Sequence, residues 1–360
     1  MFFALSEQQM DLQTAVRSFM NDRVPEAQTR RLMRTPGGYD GATWQALVRD
    51  IGVGELGADL VDIAVVQEEL GRSLYSGPFL SSCVMAAQLL AATKPDEPSR
   101  ALLGRIASGE TVVAVAVGGS RGLFTADDVA VEADGEVLEG YSAYVIDGAS
   151  ADQLLVLARA AGELAVFLVD PTAPGVQRSV SSTMDQTRRQ AEITFGHVRG
   201  RRLTWPAAEG AASAVSRMLQ VTQVAIAAEQ VGGAQQCLDT VVAYAGAREQ
   251  FGRPIGSFQA VKHACADVVL GIESARAAAY YAAWIAGNRP EELVEMAALA
   301  KIVGSEAYLA AAEKAIQLQG GIGFVWDNPA QLYFKRAKSD QLLFGDPASQ
   351  RELLAASVLR

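Results

Sequence analysis

Arg248-Glu249-Gln250-Phe251-Gly252-Arg253-Pro254-Ile255-Gly256-Ser257-Phe258-Gln259-Ala260-Val261-Lys262-His263 joins two long apolar-periodic segments. Before it, Val231, Ala234, Leu238, Val241, Val242 and Ala245 recur at three- and four-residue steps, which puts them on one buried helical face. Gly252, Pro254 and Gly256 interrupt that period. Phe258, Val261, Ala264, Cys265, Val268, Val269 and Ile272 then restore it. The stretch is therefore a junction between two helices. It carries a guanidinium, an aromatic ring and backbone N–H groups beside a helix start, a combination suited to phosphate or pyrophosphate. An ordinary helical corner with a surface arginine fits the spacing equally well.

Outward from the junction, the chain after Ala207 is helical and Ala-rich. The periodicity predicts helices from about Ala211 to Gly246, Phe258 to Gly287, Pro290 to Gln319, and from about Pro347 to the end. Long helices with short breaks make a four-helix bundle. Upstream lie short β-branched runs, from Thr111 to Val117 and onward to Ala191–Phe195. Asp134-Gly135 between two of them signals a hairpin. These strands predict a small antiparallel barrel or sandwich ending near Trp205-Pro206. The first hundred or so residues read as helices, the first opened by a Ser6/Gln9 capping box. The expected layout is α+β multidomain: an N-terminal helical domain (residues 1–108), a middle β domain (109–206) and a C-terminal bundle (207–360).

Composition sets bounds. With 360 residues, half of them hydrophobic, the chain can build a large core. A net charge of −10 argues against nucleic acid as a main partner. Cys83, Cys237 and Cys265 sit in apolar helical contexts with no paired framework, which reads as reduced thiols in a cytoplasmic protein. The start lacks a basic signal-peptide region, and no apolar run approaches the roughly 20 residues of a membrane span, so no membrane role is expected.

The junction has the form R-x-Q-F-G-x-P-I-x-x-F-Q-x-x-K-H. A second block, Gln317-Leu318-Gln319-Gly320-Gly321-Ile322-Gly323-Phe324, has the form Q-x-x-G-G-x-G-F. Together they resemble the signatures of acyl-CoA dehydrogenases, FAD enzymes that introduce an α,β double bond into acyl-CoA thioesters. The resemblance covers roughly the whole chain and is strongest from about Val221 onward. It implies helical, β and helical parts, in agreement with the periodicity. It also implies that Arg248, Phe251, Gln259, Gln317, Gly320, Gly321 and Gly323 reach across a subunit interface to the ADP part of an FAD. The plain alternative for Gly320-Gly321 is a helix C-cap.

The family's reaction needs a carboxylate base, a hydride acceptor and donors to the thioester oxygen. The usual base is a Glu in a Y-E-G-T-like segment. Here that segment reads Leu343-Phe344-Gly345-Asp346-Pro347, so Phe344 stands where the Glu belongs. Some members place the base on the first long C-terminal helix, just before an Arg, and those two positions are here Thr222 and Gln223. Glu229 is the nearest carboxylate there, but it lies about two turns further along the helix and is not taken as the base. Asp346 is the fallback base, although an N-cap ahead of Pro347 is the better reading of it. The family's T-E-P-x-x-G-S-D segment is represented by Val117-Gly118-Gly119-Ser120-Arg121-Gly122. Its W/F-I-T/S segment is represented by Tyr144-Val145-Ile146-Asp147-Gly148, without the hydroxyl expected near flavin N5.

An intact ADP clamp beside a missing base implies the base-lacking subunit of an α2β2 heteromer, a type found in bacterial steroid side-chain breakdown. The segment Glu229-Gln230-Val231-Gly232-Gly233-Ala234 resembles that subgroup. The implied partners are an acyl-CoA substrate, a paralogous dehydrogenase subunit and an electron-transfer flavoprotein as electron acceptor. Two alternatives remain open: a self-sufficient homotetramer with Asp346 as relocated base, and a non-catalytic scaffold.

Overall fold

The computed structural model describes residues 5–55, 59–119, 121–122, 124–206 and 210–359; Ser120 and Ala207 lie outside the described residues. In chain order the N-terminal helices are α1 (Glu7–Arg23), α2 (Glu26–Leu32), α3 (Gly41–Ile51), α4 (Leu60–Arg72), α5 (Ala87–Ala91) and α6 (Glu97–Ala107). A π-helical run, Phe79–Ala86, leads into α5. The strands that follow are β1 (Val113–Ala116), β2 (Val131–Asp134), β3 (Val137–Ile146), β4 (Gln153–Ala160), β5 (Glu163–Val169), β6 (Val176–Val180), β7 (Gln190–Arg199) and β8 (Arg201–Arg202). Then come α7 (Ala211–Ala247), a small ribbon of β9 (Glu249–Gln250) and β10 (Arg253–Pro254), α8 (Gln259–Asn288), α9 (Leu293–Gln319), α10 (Ala330–Leu342) and α11 (Pro347–Val358).

The chain packs as two compact units. One comprises Arg30–Asp59 and Ser76–Thr222. Its sheet runs in the order β6-β7-β3-β2-β4-β5-β8, with β1 also paired to β4. The inner face buries Leu138, Leu154, Val156, Phe167, Ile193 and Val198. The predicted β2–β3 hairpin is present, with Asp134 opposite Val137 and Gly135 at φ +58. The sheet is mixed, because β4 runs parallel to both β1 and β2. Strand β1 is buried at every position and β4 at most, so neither shows the alternation of a half-exposed antiparallel strand. Periodicity alone therefore could not assign their partners.

The other unit comprises Met1–Thr29, Leu60–Tyr75 and Gln223–Arg360. The capping box at Ser6 forms: Ser6 Oγ accepts from Gln9 N at 3.2 Å, and Gln9 Oε1 accepts from Ser6 N at 3.1 Å. Helices α4 and α7 cross at backbone contact. A Cβ on Gly232 would lie 1.8 Å from the Glu68 carbonyl oxygen, and one on Gly71 would lie 2.1 Å from that of Glu229. Gly233 makes room for the buried ring of Tyr308. Helix α10 is an addition to the four C-terminal helices expected. Its inward positions include Arg336 and Asp340, so charge interrupts the apolar stripe that would announce it. All three cysteines are free thiols, with Cys83 and Cys237 buried and Cys265 half-buried.

Candidate functional site

Helix α7 ends at Ala247, and the junction folds as a tight hairpin rather than a plain coil. Phe251 and Gly252 form its two-residue turn at φ +56 and +76. Positive φ at both central positions suits the twist of a short ribbon. The turn carries Phe251 outward, 91 % exposed. Its ring meets Phe258 edge-on at 6.1 Å, and Arg253 stacks over the other ring at 4.2 Å. The knob is thus built from an arginine and two phenylalanines. Gly256 lets this segment lie against the carbonyl of Ala245, 3.0 Å from where a Cβ would be.

Arg248 is exposed, and among the described residues its guanidinium has no ion-pair or hydrogen-bond partner. Gln259 opens α8, also exposed, and no side chain caps that helix start. The second block lies at the C-terminal end of α9. Tyr244, one turn before Arg248, brings its hydroxyl within 3.5 Å of the Gln319 carbonyl, so the two blocks share one end of the bundle. Gly320 ends α9 at φ +65 and ψ −139, backbone space open to glycine alone. Gly320 and Gly321 have open space where a side chain would be, whereas Gly323 packs on the Ile316 carbonyl. Gln317 is exposed and accepts from Lys314 Nζ at 2.9 Å. Ile322, Phe324, Val325 and Trp326 add exposed apolar surface beside these glycines.

The turn between α10 and α11 is a second centre. Phe344 is buried at φ +57, followed by Gly345 at φ +98. The Phe344 carbonyl accepts from Gln223 Nε2 at 2.9 Å and Gln350 Nε2 at 3.2 Å. Gln223, which the resemblance pairs with the alternative base position at Thr222, therefore holds the turn that carries Phe344. A phenyl ring at 344, a hydroxyl at 222 and an amide at 223 put no carboxylate at these positions. Thr222 is buried and donates its hydroxyl to the Met218 carbonyl at 2.7 Å. Glu229 is buried and accepts from Arg336 Nη1 at 2.5 Å, and Arg336 also reaches the Tyr75 carbonyl at 3.4 Å. Asp346 caps α11, accepting from Ser349 N at 2.9 Å. That backbone N–H, the Ser349 side chain and the charge of Lys301 hold its carboxyl below the usual range. Arg336 and Lys301, which anchor this region, were not singled out by sequence reasoning; a charge inside an otherwise apolar helical stripe was the available signal.

In the β-containing unit, Arg121 pairs with Asp128 at 3.2 Å and donates to the Asp127 carbonyl at 2.7 Å. Tyr144 sits at φ +57, and a Cβ on Gly122 would lie 3.1 Å from its ring. Phe124 packs against the same ring at 6.4 Å. Ile146 is buried, and Asp147 is occupied by the Ser81 hydroxyl at 2.6 Å. Among the described residues of Tyr144–Gly148, the hydroxyl belongs to Tyr144 alone.

The α7–α9 end offers what an ADP-like group would need: a guanidinium without a partner among the described residues, an uncapped helix start and glycines whose missing side chains leave room. A flavin ring does not find its expected hydroxyl at Ile146. Among the described residues no group of three or more His, Cys, Asp or Glu could hold a metal, and no helix is long and apolar enough to cross a membrane.

Residues 208–359 match the acyl-CoA dehydrogenase C-terminal domain. The chain is 33 % identical to acyl-CoA dehydrogenase IpdE2 of Mycobacterium tuberculosis, over 97 % of this chain and 95 % of that protein. Its fold matches the ChsE4–ChsE5 complex from Mycobacterium tuberculosis with a TM-score of 0.89 at 25 % identity, covering 100 % of this chain and 99 % of that one. A variant of the Tcur3481–Tcur3483 steroid ACAD matches with a TM-score of 0.87 at 27 % identity, over 98 % of both chains.

Proposed function

The chain belongs to the acyl-CoA dehydrogenase family, whose cofactor is FAD, and from that premise we propose that it is the base-lacking subunit of a heteromeric acyl-CoA dehydrogenase. The observation that carries this reading is Phe344. The turn that should present a carboxylate presents a buried phenyl ring, and of the carboxylates weighed as a relocated base Glu229 is paired with Arg336 and Asp346 caps α11. The names of the similar structures, a two-component complex and a steroid ACAD, support a heteromer acting on a bulky acyl-CoA thioester.

When bound, FAD accepts the hydride equivalent from the acyl chain. In this proposal the present chain contributes to holding it. Arg248 sets a fork of donors against pyrophosphate. Gly320 and Gly321 let the backbone approach closely, Gln259 and Gln317 add amide donors, and Phe251 seats the hairpin against the neighbouring subunit. Gly323 keeps the glycine turn flat on α9. The paralogous partner supplies the carboxylate base and the flavin platform, and an electron-transfer flavoprotein takes the electrons onward.

The test is expression alone and together with each adjacent dehydrogenase-like gene, recording flavin absorbance and particle mass. The expected result is a colourless or unstable lone chain and a yellow heterotetramer with one FAD per heterodimer. A lone chain that binds FAD fully and oxidises acyl-CoA would sink the reading. In that event Asp346→Asn, which keeps the cap, is the next variant to assay.

A further inference from the structure

Lys301 lies on α9 with no exposed surface. Its Nζ donates to Ser305 Oγ at 3.2 Å, to the Gln341 carbonyl at 3.1 Å and to the Gly345 carbonyl at 3.1 Å. Gln341 belongs to the last turn of α10, where carbonyls lack intrahelical partners. Gly345 is the second of two consecutive residues with positive φ. One side-chain nitrogen therefore ties the end of α10 to the turn that precedes α11. The charged groups facing it are Asp340 from α10 and Asp346 from the cap of α11. From α7 it meets no charge in this network, only the neutral amide of Gln230, which donates to Ser305 Oγ at 3.0 Å.

We propose that Lys301 is a proton-linked positioning residue for the turn at residues 343–345, and that loss of its proton tightens that turn. With the turn closed, the ammonium is out of water; with the turn open, it regains hydration. The open state therefore binds the proton more tightly. Burial lowers the Lys301 pKa to about 8 in the closed state, against the opposing pull of Asp340 and Asp346. As pH rises past that value, the closed state sheds its charge first and opening becomes harder, until the exposed lysine also titrates near 10.5. The neutral amine keeps donors for the two carbonyls. The functional meaning rests on the reading above, because the turn carries residue 344 at the family's base position. The linkage itself belongs to this chain alone, so its failure is distinguishable from failure of the heteromer proposal.

The test is amide hydrogen exchange over residues 343–350 of the full chain, normalised to an unstructured peptide of the same sequence, from about pH 7 to about pH 10. Wild-type protection is expected to rise above a pH of about 8, by at most about tenfold per pH unit for one proton. In Lys301→Met the profile is expected to be flat, and at the alkaline end less protected than wild type, since both carbonyls lose a donor. Asp346→Asn removes one stabilising charge while keeping the cap, and is expected to move the rise to lower pH. A flat wild-type profile overturns the proposal, as does a Lys301→Met profile that rises like wild type. Should Lys301→Met fail to fold, the wild-type and Asp346→Asn profiles still decide.

Discussion

Glu229 and Arg336 hold opposite charges in the interior, with side chains only 4 % and 2 % exposed. Removing either partner alone leaves a buried charge without that counter-ion, at a cost of about 3–5 kcal/mol. Glu229→Met and Arg336→Met should each lower the denaturation midpoint strongly, while the double variant costs much less than their sum; equal additivity in denaturant melts would refute the coupling. This pair also marks a limit of the sequence reading. Glu229 could be weighed as a base and set aside by its distance along the helix, but its partner lies 107 positions away and nothing local announces it. A phenylalanine ahead of Gly345, where the resemblance leads to the expectation of a carboxylate, was legible. That Gln223, Gln350 and Lys301 hold this turn was not, since each reaches it from another helix.

At the scale of elements, α4 and α7 approach as closely as they do because Gly71 and Gly232 present bare backbone to one another's helix. The segment Glu229–Ala234 could be read as a family resemblance, yet the reason for its glycines is an interhelical distance that no single-chain pattern displays. Gly232→Ala would place a methyl 1.8 Å from the Glu68 carbonyl oxygen, so the helices must separate. The expected loss is at least the roughly 1–3 kcal/mol of an overpacked core. Gly271→Ala is the control: it lies within α8, and its Cβ would meet Ala307 at an ordinary 3.7 Å. It should stabilise by about 0.5–1 kcal/mol through helix propensity. Thermal melts of the two variants read the contrast directly, and a Gly232→Ala protein as stable as Gly271→Ala would refute the crossing argument. Elements with clean periodicity, α7, α8 and α9, were predicted almost to their ends. Helix α10 was not, because Arg336 and Asp340 occupy positions where an apolar stripe would carry leucines.

For the whole molecule, the exposed end of the bundle carries a specific prediction. Phe251 and Phe324 are 91 % and 79 % exposed, beside Trp326 and an Arg248 that has no partner among the described residues. Aromatic surface around a free guanidinium has the composition of an interface centre. The apolar and cationic parts should separate by mutation in the co-expressed assembly. Phe251→Ser removes packing area and should weaken association of the subunits, with flavin lost only as the complex dissociates. Arg248→Ala removes charge-assisted bonds, each worth about 1.5–3 kcal/mol, so FAD should be held roughly tenfold to a hundredfold more weakly in a complex of unchanged mass. Flavin titration and particle mass, measured on the same samples, distinguish the two. If Arg248→Ala retains FAD as wild type does, the arginine is only a surface residue at a helical corner. The junction's likeness to the family would then report ancestry, and the pyrophosphate contact would have to come from the partner subunit.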